Sequence, residues 1–224
     1  NYNESSFLQY ALTDSFGKIL KPFTDLTEKI DSEEYHYYDK DPSVTVAADG
    51  KIGVAWYAYA YNADDDLYNY NIWYAILDST GKIVLDPVKL TNNEIWAHPN
   101  YEGFIKYGSP SIAATTDNRF MITWDQSTVV NGEPLDDIYF SILQSNGVSI
   151  IHPLKITTGL AVSVRYKNPL VTKIDGNLFF ITYLKLQKDN TGWVKNFPYR
   201  IYGSNGSNLK TETDTGLWGN LIDV

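Results

Sequence analysis

Three consecutive carboxylates, Asp64, Asp65 and Asp66, stand between Asn62 and Asn69. Clustered oxygen donors on a short loop are the chemistry of a Ca2+ site. The stretch lacks the glycine and the distal glutamate of an EF-hand loop, so a solvated acidic loop competes with that reading. A second group of candidates is aromatic: Tyr35, Tyr37 and Tyr38 around His36, then Trp96, His98 and Tyr101, and finally Trp193. Such rings stack on sugars or anchor a protein partner, and the competing role is to cap the interior of the fold. The histidines His36, His98 and His152 form no His-x-x-x-His pair. Nucleophile elbows, glycine-rich phosphate loops and His-Glu-x-x-His are all missing. Acids are plentiful, 27 in all. Two of them on neighbouring loops, about 5–10 Å apart, would suffice for glycoside hydrolysis. Asn3 and Asn205 each open an Asn-x-Ser glycosylation triplet, and the second overlaps a tight-turn signal.

The 18 basic residues leave a net charge of −9, with no basic run. Phosphate neutralisation needs clustered Lys and Arg, so nucleic acid is excluded as a partner. No apolar stretch approaches the length of a membrane-spanning helix. The absence of Cys removes disulfides, thiolate catalysis and Cys-based zinc sites together. The chain starts at Asn1 without Met or a charged-then-apolar leader, as expected of a mature form, a proteolytic piece or a trimmed form. Tyr, Phe and Trp number 18, 9 and 6, and this aromatic richness favours sheet.

These candidates sit on a repeat. Pro42 to Trp56, Pro110 to Trp124 and Pro169 to Tyr183 align. Each has a proline, a β-rich run, an Asp-Gly or Asp-Asn turn, and a second β-rich run ending in an aromatic. A second unit pairs two further β-rich runs across a Gly turn, with Gly17, Gly81, Gly147 and Gly206 in register. Alternation such as Val44, Val46, Ala48 has the period of a half-buried strand. Four antiparallel strands, A to D, repeated in tandem, predict an all-β fold: a β-propeller of four-stranded antiparallel blades. The chain holds about three and a half of them. Residues 7–27 form a half blade, 42–91, 110–157 and 169–210 form full blades, and 211–224 is a closing strand or tail. Trp56, Trp124 and Tyr183 are expected to pack blade against blade.

In a meander, alternate connections share an edge. Long B–C loops are expected near Tyr61–Tyr70, Gln126–Asp137 and Gln187–Phe197. Long D–A loops are expected near Glu28–Asp41, Asn92–Ser109 and Thr158–Asn168. All of them project from one rim, where binding usually lives. The unpaired end strands need a cover. Either the tail supplies a strand beside the half blade, or further blades of the same precursor or another chain complete the ring.

The order Pro-Ser-Ile-Ala, Asp-Asn, Ile-Thr-Trp124-Asp125, Asp137-Ile138-Tyr139, Asn-Gly147 and Pro-Leu-Lys-Ile-Thr157 resembles a β-propeller-like repeat of large secreted and cell-surface proteins of bacteria and archaea. The resemblance spans about residues 7–210. It implies an extracellular or cell-surface setting and a role in adhesion or scaffolding. The expectation is therefore a non-enzymatic module that binds protein or glycan through its long-loop face. The alternative is a glycan-active hydrolase or lyase using loop carboxylates. A central pocket holding two acids and aromatics, with one carboxyl pKa raised, would favour the enzyme.

Overall fold

The structure, a computed structural model, describes residues 6–27, 36–62, 64–158 and 163–213. Tyr35, Asn3 and the expected closing segment 214–224 lie outside those residues. Among the described residues the fold is all-β. A two-stranded sheet comes first: β1 (Gln9–Thr13) and β2 (Ile19–Asp25). The next sheet runs β3 (His36–Val46), β4 (Ile52–Asn62), β5 (Leu67–Leu77) and β6 (Ile83–Lys89) in order. The third runs β7 (Ile105–Ala114), β8 (Arg119–Val130), β9 (Glu133–Gln144) and β10 (Ser149–Lys155). The last holds β11 (Val164–Ile174), β12 (Leu178–Asp189), β13 (Gly192–Asn196), β14 (Tyr199–Gly203) and β15 (Asn208–Thr213). Its third strand is broken into β13 and β14 at Phe197–Pro198, because proline has no N–H for the ladder.

Each sheet is one blade, and the core lies between blades. Trp56 is fully buried against the half blade with Leu26, Trp73 and Leu77. Trp124 is buried in the layer between the first and second full blades, with Ile72, Ile76 and Phe120. Tyr183 is buried between the second and third, with Phe140 and Phe179. Both faces of a middle strand are therefore covered, which is why β5 is buried over most of its length rather than alternating.

Two repeated contacts set the blade geometry. A threonine after strand D accepts an amide in, or just before, strand C. Leu8 N donates to Thr27, Ile72 N to Thr91 and Ile138 N to Thr157, each at 2.9 Å. The glycine of each C–D turn then meets the blade before it. A Cβ at Gly81 would lie 2.8 Å from Leu12, one at Gly147 would overlap Leu85, and one at Gly206 would lie 2.7 Å from Ile151. Gly17, the first of the series, has nothing described within 4 Å.

The expected B–C loops are corrected. Strands B and C continue through those segments, pairing Tyr61 with Tyr68, Gln126 with Asp137 and Lys188 with Trp193. Tight turns close the hairpins, with Asp66, Asn131 and Gly192 at positive φ. Strand A also starts earlier than its proline, at His36, Ile105 and Val164. The rim is thus built of protruding hairpins, and the D–A connection at 90–104, which is described throughout, is a loop.

Gly147→Ala and Gly17→Ala place the same methyl group in the same left-handed turn, at φ 86° and 80°. The backbone strain, about 1–2 kcal/mol, is common to both. Only the first also overpacks an interblade contact, at about 1–3 kcal/mol more. Chemical denaturation should find Gly147→Ala the less stable variant by that difference.

Candidate functional site

The proline that opens each repeat has a structural consequence. The residue before it is left-handed: Asp41 at φ 50°, Ser109 at 48° and Asn168 at 51°. At each the ladder slips, between Lys40 and Ser43, Gly108 and Ser111, and Lys167 and Leu170. These are β-bulges, which re-aim side chains. The three bulged strands β3, β7 and β11 lie side by side. Ile112 N donates to Ser43 Oγ at 3.2 Å, and Val171 N to Ser111 Oγ at 3.1 Å. Asp41, Ser109 and Asn168 consequently line one cleft of about 530 Å³.

The cleft receives one more acid, Asp125 on β8. It follows the buried Trp124, in a repeat position held by Tyr57 in the blade before and Leu184 in the blade after. Gly108 is its ladder partner, and a Cβ there would come within 3.1 Å of Asp125 Oδ1. Asn168 N donates to Asp125 Oδ2 at 3.0 Å, and Ser109 Oγ donates to Asn168 Oδ1 at 3.0 Å. Burial pushes the Asp125 carboxyl above the ordinary carboxylate range. The Asn168 amide, Ser109 and Lys167 pull it back in part, while Asp136 adds to the rise. Asp41, by contrast, is exposed. Tyr57 and Phe104 supply aromatic wall, and Lys106 and Lys167 supply positive charge. Lys167 also lies 3.4 Å from the buried Asp136. Burial, with Asp41 next, raises the Tyr57 hydroxyl.

From Tyr57 a ladder of tyrosines climbs the first full blade. Period two puts Tyr57, Tyr59 and Tyr61 on one face of β4, facing Tyr70 and Tyr68 of β5 and Tyr38 of β3. Tyr38 stacks on Tyr59 at 4.8 Å and Tyr61 packs on Tyr68 at 4.7 Å. Tyr38, Tyr59, Tyr61 and Tyr68 line a second groove of about 440 Å³.

The other sequence candidates scatter. Asp64, Asp65 and Asp66 form the β4–β5 turn. Asn62 Nδ2 donates to Asp65, Tyr61 OH to Asp66, and His98 Nε2 lies 3.5 Å from Asp66. Among the described residues no three acids or histidines converge as a metal site would require. His98 packs on Tyr101, which is largely exposed. Trp96 is half-buried beside them. Tyr37 lies in β3, its side chain outside the described set. Trp193 stands apart on the third full blade, under the Arg165 guanidinium at 5.2 Å. Asn205 Oδ1 accepts Ser207 N at 3.0 Å within the last C–D turn, which supports its turn role. None of these aromatics lines the acid-bearing cleft.

No family model and no curated sequence matches the chain. Solved structures do. Zg3597, a family 117 glycoside hydrolase of the marine bacterium Zobellia galactanivorans, superposes with a TM-score of 0.50 at 13% identity, over 95% of this chain and 62% of that one. An N-acetylgalactosamine deacetylase from F. plautii gives 0.46 at 11%, over 84% of this chain and 56% of that one. A Penicillium chrysogenum α-L-arabinanase complexed with arabinobiose gives 0.45 at 9%, over 93% and 67%. The chain thus spans under two thirds of the first two. The fold is a β-propeller. The expectation of a non-enzymatic adhesion module is corrected in favour of the alternative stated beside it: Zg3597, which shares the fold, is a glycoside hydrolase, and the cleft holds two acids, aromatic wall and one raised carboxyl. No helix among the described residues is long and apolar enough to cross a membrane.

Asp125 has its pKa raised by folding, so its ionisation opposes the fold. That penalty is absent below the unfolded carboxylate pKa, grows as pH rises toward the folded value, and is complete above it. Asp125→Asn keeps an acceptor for Asn168 N without the charge. It should melt a few degrees above the parent at neutral pH, about 2–4 °C per kcal/mol for a chain of this size. The gain should vanish below about pH 3.5, where both side chains are neutral.

Proposed function

We propose that this chain is a glycan-active enzyme that hydrolyses glycosidic bonds in the cleft at the bulged inner strands. The observation that carries the reading is Asp125, a desolvated carboxyl with a raised pKa in the same cleft as the exposed Asp41. A carboxyl whose proton is held more tightly than usual is suited to protonate a leaving glycosidic oxygen. A second carboxylate in the same cleft activates water or attacks the sugar carbon. Asp125 is the general acid and Asp41 its partner. Tyr57 offers a ring face for a sugar, and the tyrosine ladder extends that surface away from the acids. A substrate of several sugar units fits such a track better than a disaccharide. The extracellular setting expected from the sequence agrees with this reading, since polymeric glycans are met there.

Release of reducing ends from a panel of plant, algal and microbial polysaccharides tests it. Asp125→Asn should lower kcat about 10²–10⁴-fold, the contribution of a positioned acid, with glycan binding retained. The parent's rate should fall as pH rises through the Asp125 pKa, because the acid form is needed. Asp41→Asn should also lower kcat, with glycan binding retained. Tyr59→Ala should raise KM for long oligosaccharides and leave kcat within a few-fold. An inactive parent across the panel, or an Asp125→Asn variant as active as the parent, overturns the proposal.

A further inference from the structure

The interblade contact at each C–D turn uses fixed repeat positions. The residue five before the glycine and the residue four after it are ladder partners, and both press on the glycine of the next blade. Leu12 pairs with Lys21 and meets Gly81; Ile76 pairs with Leu85 and meets Gly147; Ile142 pairs with Ile151 and meets Gly206. Ile201 and Lys210 are the corresponding pair of the last blade.

At the first junction the contact is also polar. Tyr10 OH donates to the Gly81 carbonyl at 2.7 Å, and Lys21 Nζ donates to the same oxygen. Lys21 lies over the Tyr10 ring at 5.0 Å. The second junction keeps a tyrosine, Tyr74, on the Gly147 carbonyl at 3.0 Å but has Leu85 in place of the lysine. The third has Phe140 and Ile151. The last blade restores the polar pair: Lys210 lies over the Tyr199 ring at 4.9 Å, the arrangement of Lys21 over Tyr10. Among the described residues neither the Tyr199 hydroxyl nor the Lys210 ammonium makes a hydrogen bond.

The turn taken by Tyr10 and Lys21 reads Asp78-Ser79-Thr80-Gly81-Lys82, with Asp78 Oδ1 accepting Thr80 N and Lys82 N. One other C–D turn in the chain has that pattern. It is Asp14-Ser15-Phe16-Gly17-Lys18, where Asp14 Oδ1 accepts Phe16 N and Lys18 N. The turns at Gly147 and Gly206 read Gln-Ser-Asn-Gly-Val and Gly-Ser-Asn-Gly-Ser. Of the four C–D turn glycines, Gly17 is the one with no described atom within 4 Å, and its neighbours Phe16 and Leu20 are 94% and 64% exposed. The two end faces are therefore the two halves of the first junction.

We propose that the chain associates head to tail with a second copy of itself, the Tyr199 hydroxyl and Lys210 ammonium of one protomer taking the Gly17 carbonyl of its partner. The stem of Lys210 and the side chain of Ile201 cover Gly17 as Lys21 and Leu12 cover Gly81. The contact joins unlike faces, so it leaves one of each open and propagates or closes into a ring.

Sedimentation velocity across micromolar concentrations tests this. The parent should associate reversibly. Lys210→Glu on the trailing face and Gly17→Asn on the leading face should each weaken association about tenfold or more, since each removes or blocks a charge-assisted contact. Asn tolerates a left-handed turn, and both positions are exposed, so circular dichroism should show both variants folded. The two variants mixed should form a one-to-one dimer and stop there, because each retains the face the other lacks. A parent that stays monomeric, association insensitive to either variant, or a mixture that fails to associate each overturns the proposal.

Discussion

Adjacent blades meet at their inner edge through a serine. Ser43 and Ser111, each just after the repeat's proline, accept an amide from the next inner strand. That bond requires neighbouring first strands to approach within hydrogen-bond distance at one level. The bulges lie one step before it, so they are brought to the same height around the axis. Asp41, Ser109 and Asn168 converge for this reason, though they are distant in sequence. Proline contributes twice: it removes an N–H where the ladder must break, and it fixes φ at the point where the strand resumes.

The Asp125 site shows what such a scaffold can impose. A carboxylate on a strand whose neighbours are Trp124 and Thr123, both fully buried, would ordinarily be excluded from that position. Gly108 opposite leaves space for it, and the bulged Asn168 turns an amide toward it. These partners hold the side chain in place without removing the cost of its charge, so its proton is held more tightly than in water. The same pocket that would suit the acid to the proposed reaction makes the fold less stable around it.

Much of the architecture was legible because it rests on local chemistry. The glycine turns, the Asp-Gly and Asp-Asn turns and the buried Trp56, Trp124 and Tyr183 each follow from residue type and repeat position. The rim was less legible. The Asp64–Asp66 cluster and the neighbouring polar residues looked like loop, yet Tyr57, Tyr59 and Tyr61 kept the period of a strand through it, and cross-strand ring packing extends the hairpin. The acid pair was hidden for another reason. Asp41 and Asp125 come from different blades, and their sharing of one cleft depends on two bulges that no single stretch announces. The available signal was positional: in the repeat column Tyr57, Asp125, Leu184, only one residue is charged.

The tall hairpins carry a further consequence. Their strands are continuous with the core strands, so every residue above the cleft inherits its facing from the register below. Removing or adding one residue within an arm would turn the tyrosine ladder outward and bring its polar neighbours in. Descendants of this chain can therefore lengthen or shorten an arm only in steps of two, or by shifting the tip. Variation of the tyrosine-bearing surface is quantised by the pleat, while the inner ring is left untouched.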